Sequence, residues 1–191
     1  METACFLLLK IEDPTRARSW LRETIREITT AADKTSEQLS QWTTSLNLAL
    51  TWSGLKTLGL PDAALETFPT EFQEGMAARA DILGDSGESA PEAWEFGGVA
   101  GPARQEELHL LLMLYGTTEA EVSALLDWER SRLAAGGLRE LGVQRASRLR
   151  DAEGHVVEHF GFRDGISQPR VEGFVDPKHT HPDHGDPIKA G

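Results

Sequence analysis

Two apolar runs of strand length, each followed closely by a helix-start signal, constrain the fold of this chain more than any other feature. The first run covers residues 4–11, and Asp13-Pro14 then offers an N-cap and a proline at the tolerated first helical position. The second run is His109–Tyr115, after which Thr118 stands three residues before Glu121 in a capping-box pattern. The sequence therefore predicts the same strand–helix order twice.

A further strand completes each half. Leu46, Leu48 and Leu50 alternate with Asn47 and Ala49, which predicts a strand ending near Trp52, and residues 138–149 can supply the last strand. The order strand, helix, strand, long excursion, strand, helix, strand matches a ferredoxin-like α+β unit. We therefore expect an antiparallel sheet with two helices on one face.

Three more local expectations follow from hydrophobic patterning. Five residues recur at the spacing of one helical face: Trp20, Leu21, Thr24, Ile25 and Ile28. The nearly continuous apolar character of His109–Tyr115 predicts a strand that is buried on both faces. Residues 61–101 carry many prolines, glycines and acids among a few large hydrophobic side chains, which predicts a long ordered excursion with short helices.

Charge and cysteine content exclude several classes of protein. Acidic residues outnumber basic ones 31 to 19, for a formal charge of −12, and this balance opposes binding to phosphate backbones. The single cysteine, Cys5, lies inside an apolar run, where a buried, unreactive thiol is expected. That run is too short to span a bilayer and lacks the features of a signal peptide. We expect a cytoplasmic protein that binds neither nucleic acid nor a membrane.

The segment Gly161–Pro169 carries the clearest functional signal. It places the carboxylate of Asp164 between two glycines and shortly before a proline, a pattern that shapes a loop and permits close approach of a ligand. On its own, Asp164-Gly165 is also a common turn dipeptide. Asp164-Gly165 alone therefore does not distinguish a ligand-binding loop from an ordinary turn.

The complete run resembles the glycine–x–x–aspartate–glycine signature of the dye-decolourising peroxidases, including the Ile-Ser-Gln-Pro that follows it. Other segments are similar to that family as well: Glu12-Asp13-Pro14, 51–55, 58–61, 68–72, 75–80, 83–85, and Ala90-Pro91 with Trp94. The resemblance covers nearly all of the chain but only the N-terminal half of a typical member. It implies half of the dimeric α+β barrel arrangement of the family.

The resemblance also implies a function. In this family two ferredoxin-like domains enclose one haem b, and hydrogen peroxide is used to oxidise small aromatic or dye reductants. Asp164 is then the distal acid–base residue, and Gly165, Ile166 and Ser167 form the backbone nearest the porphyrin. The family's proximal histidine and distal arginine belong to the second domain, and Arg163 does not match that arginine. We expect a surface position or a haem-propionate contact for Arg163.

The resemblance sets the expected domain boundaries too. Residues 1–165 are expected to form the ferredoxin-like N-terminal peroxidase domain, ending in the motif. Residues 166–191 are expected to be an irregular tail, rich in histidine and proline, that leads toward an absent second domain.

No histidine of this chain matches the family's iron ligand, so we predict no metal ligand here. The six are His109, His155, His159, His179, His181 and His184. The last three, with Asp183 and Asp186, look like a metal cluster, but their polar, proline-rich setting favours adventitious binding.

Two alternatives to an autonomous peroxidase stay open. The chain could be a truncated, non-catalytic ferredoxin-like module, or one half of a split peroxidase that needs a C-terminal partner chain. Because a lone domain leaves an apolar sheet surface uncovered, we expect a homo-oligomer or association with a C-terminal half.

Overall fold

The computed structural model describes residues 1–30, 41–97 and 107–163. The chain divides into two units after Ser147. The first unit holds the main sheet and all of the described helices. The described residues of the second unit are 148–163.

Four antiparallel strands form the sheet of the first unit: β1 (Thr3–Ile11), β2 (Thr44–Leu50), β3 (Leu110–Gly116) and β4 (Leu138–Ser147). Their order across the sheet is β2-β3-β1-β4. The two central strands are therefore the apolar runs that the sequence places before each helix. The connectivity is ferredoxin-like, as the element order predicts.

The two long helices begin where the sequence indicates. Helix α1 (Pro14–Thr24) is capped by Asp13, whose Oδ1 accepts hydrogen bonds from the backbone N–H groups of Thr15 and Arg16, each at 3.0 Å. The last and longest helix, α6 (Glu119–Leu133), starts with a complete capping box between Thr118 and Glu121. Both predicted helix starts are confirmed.

One face of the sheet forms the core with α1 and α6. The strands contribute the alternate residues Cys5, Leu7, Leu9, Ile11, Leu46, Leu110, Leu112, Leu114 and Leu138, and the helices contribute Ala17, Trp20, Val122, Leu126 and Leu133. Cys5 is fully buried, and burial raises the pKa of its thiol. The predicted burial of this cysteine is confirmed.

The second face of the sheet is only half-buried, and here one prediction is wrong. Along β3, Leu111, Met113 and Tyr115 alternate with fully buried leucines and remain partly exposed, so this strand is not buried on both faces. The reason is the two-residue period of a strand combined with helices that pack on the opposite face. Phe6 of β1 contacts Tyr115 on this second face, with ring centroids 6.0 Å apart. We call Ala4, Phe6, Leu8, Leu111, Met113 and Tyr115 the second face.

The predicted helical face of α1 is also corrected at one residue. Trp20 and Thr24 are buried, but Ile25 is 67% exposed. Ile25 is the C-cap of α1 and keeps a helical backbone, with φ −59° and ψ −23°. At 100° per residue it lies about 80° around the helix axis from the buried Ala17, so it stands at the edge of the face that packs on the sheet.

The excursion between β2 and β3 is ordered and built from short helices over its described part, as predicted. It contains α2 (Trp52–Thr57), α3 (Asp62–Leu65), α4 (Thr70–Ala78), α5 (Ala80–Leu83) and two 3-10 turns, Gly87–Ser89 and Pro91–Ala93. Helix α4 is interrupted at Gly75, which has a φ of +73°. Among the helices of the described ranges, none is long and apolar enough to cross a membrane. The cytoplasmic location stays a prediction.

Candidate functional site

The predicted site residues Asp164, Gly165, Ile166 and Ser167 lie outside the described residues, and so do His179, His181 and His184. The structure does describe residues 148–163, which lead directly to them. Hydrogen bonds within residues 148–163 fix the path of the chain up to Arg163.

A short hairpin begins the segment. Its strands β5 (Leu149–Arg150) and β6 (Val156–Val157) pair in antiparallel register. The connecting turn is held by Asp151, whose Oδ1 accepts from the backbone N–H of Glu153 at 3.1 Å and of His155 at 2.7 Å. A side chain that bonds to its own downstream backbone in this way fixes a turn.

A second, tighter turn precedes the motif aspartate. The backbone N–H of Glu158 donates to the carbonyl of Phe162 at 2.7 Å, and that of Gly161 donates to the carbonyl of Glu158 at 2.8 Å. Gly161 has a φ of +91°, a conformation that favours glycine. Val156 and Val157 are therefore extended, but the chain reverses over residues 158–162, immediately before the motif.

Arg163 closes this turn through an isolated antiparallel bridge with Val157. Its side chain is exposed, in agreement with the surface position expected of it. The residue next to Asp164 is thus tied to β6 by its backbone while its guanidinium faces solvent.

Sequence reasoning missed an exposed aromatic pair beside the motif. Phe160 and Phe162 are 73% and 72% exposed, and their ring centroids lie 5.7 Å apart. The signal was present as two phenylalanines that flank Gly161 in a polar stretch. Adjacent exposed rings of this kind offer an apolar contact surface.

Each described histidine either has hydrogen-bond partners at its ring nitrogens or is exposed. His109 is buried, and its Nδ1 accepts from the backbone N–H of Ile11 at 3.1 Å. Nε2 therefore carries the ring proton and donates to Glu107 Oε2 at 3.3 Å. His155 Nδ1 lies 3.1 Å from Asp151 Oδ2, and His159 is exposed on the tight turn. Within the described ranges, the one buried histidine, His109, thus has a hydrogen-bond partner at each ring nitrogen. The expected absence of an iron ligand stays a prediction.

Asp151, Glu153 and His155 also bring ligand-type atoms within 4.8 Å of one another, a grouping that sequence reasoning did not identify. Asp151 already accepts two backbone hydrogen bonds in the turn and contacts His155. The group is accounted for by the hairpin it stabilises.

Comparison with known proteins places this fold in one family. The sequence model described as the DyP dimeric α+β barrel domain matches residues 1–148. Peroxidase 2 of Mycetinis scorodonius is 33% identical over 171 residues, which cover 88% of this chain and 31% of that protein. The dye-decolorizing peroxidase of Mycena epipterygia is 31% identical over 173 residues, which cover 90% of this chain and 30% of that protein.

A solved structure agrees with the sequence relatives. The structure of an ancestral D-type dye-decolorizing peroxidase superposes with a TM-score of 0.72 at 27% identity, over 91% of this chain and 37% of that one. The chain spans about a third of the length of the curated relatives it matches.

Proposed function

Because this chain belongs to the DyP dimeric α+β barrel domain family, we propose that it is the N-terminal half of a haem-dependent, dye-decolourising type of peroxidase. Such an enzyme uses hydrogen peroxide to oxidise small aromatic reductants. One observation carries the proposal: the family model matches residues 1–148, and the glycine–aspartate run Gly161–Pro169 follows on the same chain. The two fungal relatives named above are themselves called peroxidases.

Asp164 is the acid–base residue in this proposal. Bound haem supplies the iron centre at which peroxide is reduced. The Asp164 carboxylate would take a proton from one peroxide oxygen and return it to the other, so that the second oxygen could leave as water. Gly165, Ile166 and Ser167 would form the backbone that binds beside the porphyrin, and the absence of a side chain at Gly165 would permit a close approach.

A second α+β half completes the site. Among the described histidines, the buried one, His109, already has hydrogen-bond partners at both ring nitrogens. The second face presents partly exposed Phe6, Leu111, Met113 and Tyr115, an apolar surface that another sheet can cover. Both observations support a haem pocket that is assembled from this chain and a C-terminal half.

A non-catalytic ferredoxin-like module is the second candidate. It is favoured by the commitment of His109, the buried histidine among the described residues, to hydrogen bonds at both ring nitrogens. Such a module would retain the fold and the second face but would neither hold haem stoichiometrically nor reduce peroxide.

Haem titration separates these candidates. Haem is added to the purified 191-residue chain, alone and after mixing with the C-terminal half of a dye-decolourising peroxidase, while the Soret region is recorded. The proposal predicts a sharp Soret band at one haem per complex in the mixture and a weak, broad response from the chain alone. A mixture that shows no stoichiometric haem would support the non-catalytic module, and a sharp band from the chain alone would show that no second half is needed.

A further inference from the structure

A cavity of about 930 Å³ lies within the first unit, between the interrupted helix α4, residues 94–97 and the chain just before β3. Its walls include Trp94, Phe96 and Met76, and Glu74, Glu95 and Glu107 also line it. We call these six residues the acidic aromatic cavity. Its size and its mixture of apolar walls with a few polar groups are those of a small-molecule site.

The aromatic wall is held in place before any ligand arrives. Trp94 Nε1 donates to the carbonyl oxygen of Ser89 at 2.7 Å, which fixes the plane of the indole. Gly75 and Gly97 also line the cavity, both with a φ of +73°, and a Cβ at either would meet nothing within 4 Å. The backbone at these two positions leaves the space beside the rings open.

Among the described residues that line the cavity, the charged side chains are all carboxylates. Glu74 has a partner in Arg79, whose Nη1 lies 3.7 Å from its Oε2, and Glu107 contacts His109. Glu95 is exposed and forms no ion pair within the part of the chain that the structure describes. The cavity therefore carries an excess of negative charge next to two aromatic rings, in a chain whose formal charge is −12.

We propose that the acidic aromatic cavity binds a small cationic aromatic molecule of the arylalkylammonium class. The ring of the ligand packs against Trp94 and Phe96, and its ammonium group lies toward Glu95 and Glu107. Aromatic rings pack favourably against one another, and nearby carboxylates attract the ammonium group by Coulomb interaction. This binding goes beyond the proposed peroxidase function, because it requires neither haem nor peroxide.

Three probes that differ mainly in charge test the proposal: 2-phenylethylammonium, 2-phenylethanol and 3-phenylpropanoate. Binding to the haem-free full chain is measured by calorimetry at low salt, and the indole N–H resonance of Trp94 reports the location. The cation is expected to bind roughly fivefold more tightly than the alcohol, which corresponds to one unit-charge contact near water. The anion is expected to bind most weakly, and added salt should remove most of the difference.

Variants connect this preference to the cavity. Glu95→Gln should reduce the cation-over-alcohol ratio, whereas Glu92→Gln, an exposed carboxylate on the same segment outside the cavity, should leave it unchanged. Trp94→Leu should weaken all three probes, with circular dichroism checking that the fold is retained. Equal affinities for cation and alcohol would overturn the proposal, as would no binding, an unmoved Trp94 resonance, or an unchanged ratio in Glu95→Gln combined with Glu107→Gln.

Discussion

Glu129 is a carboxylate on the helix row of α6 that otherwise packs into the core. Its side chain is fully buried, and within the described residues its Oε2 has no hydrogen-bond partner. The nearest cation is Arg132, whose Nη1 lies 3.4 Å from Glu129 Oε1 but only 3.0 Å from Glu27 Oε1, and whose Nη2 lies 3.8 Å from Glu23. One guanidinium thus serves three carboxylates.

Burial raises the pKa of Glu129; Arg132 opposes the shift and Glu27 adds to it. An acid with a raised folded-state pKa favours folding while it is protonated, so its contribution is present below the unfolded pKa. That contribution is lost as the pH rises through the folded pKa. Glu129 should therefore contribute less stability as the pH is raised from acidic values toward neutrality, whereas Asp13 and Glu121, whose pKa values are lowered by hydrogen bonds, act in the opposite direction.

Substitution of Glu129 by glutamine tests this expectation, because the amide keeps the size and cannot ionise. The free energy of unfolding of Glu129→Gln, measured in urea between pH 4 and 8, should depend less on pH than that of the parent. The variant should become more stable relative to the parent as the pH rises across that range, because the parent alone must ionise a buried carboxyl group. Glu23→Gln, which alters an exposed carboxylate of the same network, serves as the control. Parallel pH profiles for parent and Glu129→Gln would refute the assignment.

At the scale of elements, Gly54 shows how α2 is joined to the sheet. A Cβ at this position would lie 2.1 Å from the carbonyl oxygen of His109, a backbone atom that cannot move aside cheaply. The same carbonyl accepts from the backbone N–H of Thr51 at 3.1 Å, so the N-cap of α2 and the chain entering β3 are fixed together. The helix therefore needs glycine here for close approach rather than for backbone freedom.

Gly54→Ala should reduce the free energy of unfolding by roughly 3 kcal/mol, since the clash must displace backbone in a packed region. Thermal or urea unfolding measures the loss. Gly142→Ala is the matched control, because its added Cβ would meet Leu8 Cδ1 at an ordinary 3.6 Å, so a change of less than about 1 kcal/mol is expected. Equal effects at the two positions would show that the contact with His109 does not determine the cost.

Most of the main sheet could be predicted from the sequence, because its signals are local. The N-cap at Asp13 and the capping box at Thr118 mark their helices within four residues, and the leucines of β2 alternate visibly. The errors arose where tertiary context decides. The apolar run of β3 does not say that helices cover only one of its faces, and the reversal at Gly161 depends on backbone hydrogen bonds rather than on hydrophobic period. Of the site, the motif was evident from the sequence, whereas the exposed Phe160–Phe162 pair required the turn to be known.

At the scale of the whole molecule, the second face is the surface that we expect to bind a partner. Its central strands present the partly exposed side chains of Phe6, Met113 and Tyr115, and the polar residues Asn47 and Gln144 of the outer strands flank them. Helices α1 and α6 pack on the opposite face. Surfaces of this kind on a single domain are typical of interfaces. We expect the chain alone to self-associate through this face and to exchange that contact for a C-terminal half when one is supplied.

Met113→Glu, which places a charge at the centre of the second face, should shift the chain toward monomer in sedimentation velocity at high protein concentration. Ile82→Glu is the control, because Ile82 is 75% exposed on α5 and lies outside this face. It should leave association unchanged. A parent chain that is strictly monomeric at all concentrations would contradict the expected role of the second face.

The acid–base role proposed for Asp164 is tested most directly by enzyme activity. Peroxide-dependent oxidation of an anthraquinone dye is measured with the haem-loaded complex of this chain and a C-terminal half, for the parent and for Asp164→Asn. The amide preserves shape but cannot take up and return the proton. We expect kcat to fall by about 10²- to 10⁴-fold in Asp164→Asn, with haem content unchanged. Asp151→Asn, in the preceding hairpin, should retain activity close to that of the parent. Full activity in Asp164→Asn at equal haem content would contradict the acid–base role of Asp164. A parent complex without activity would contradict the proposed peroxidase function.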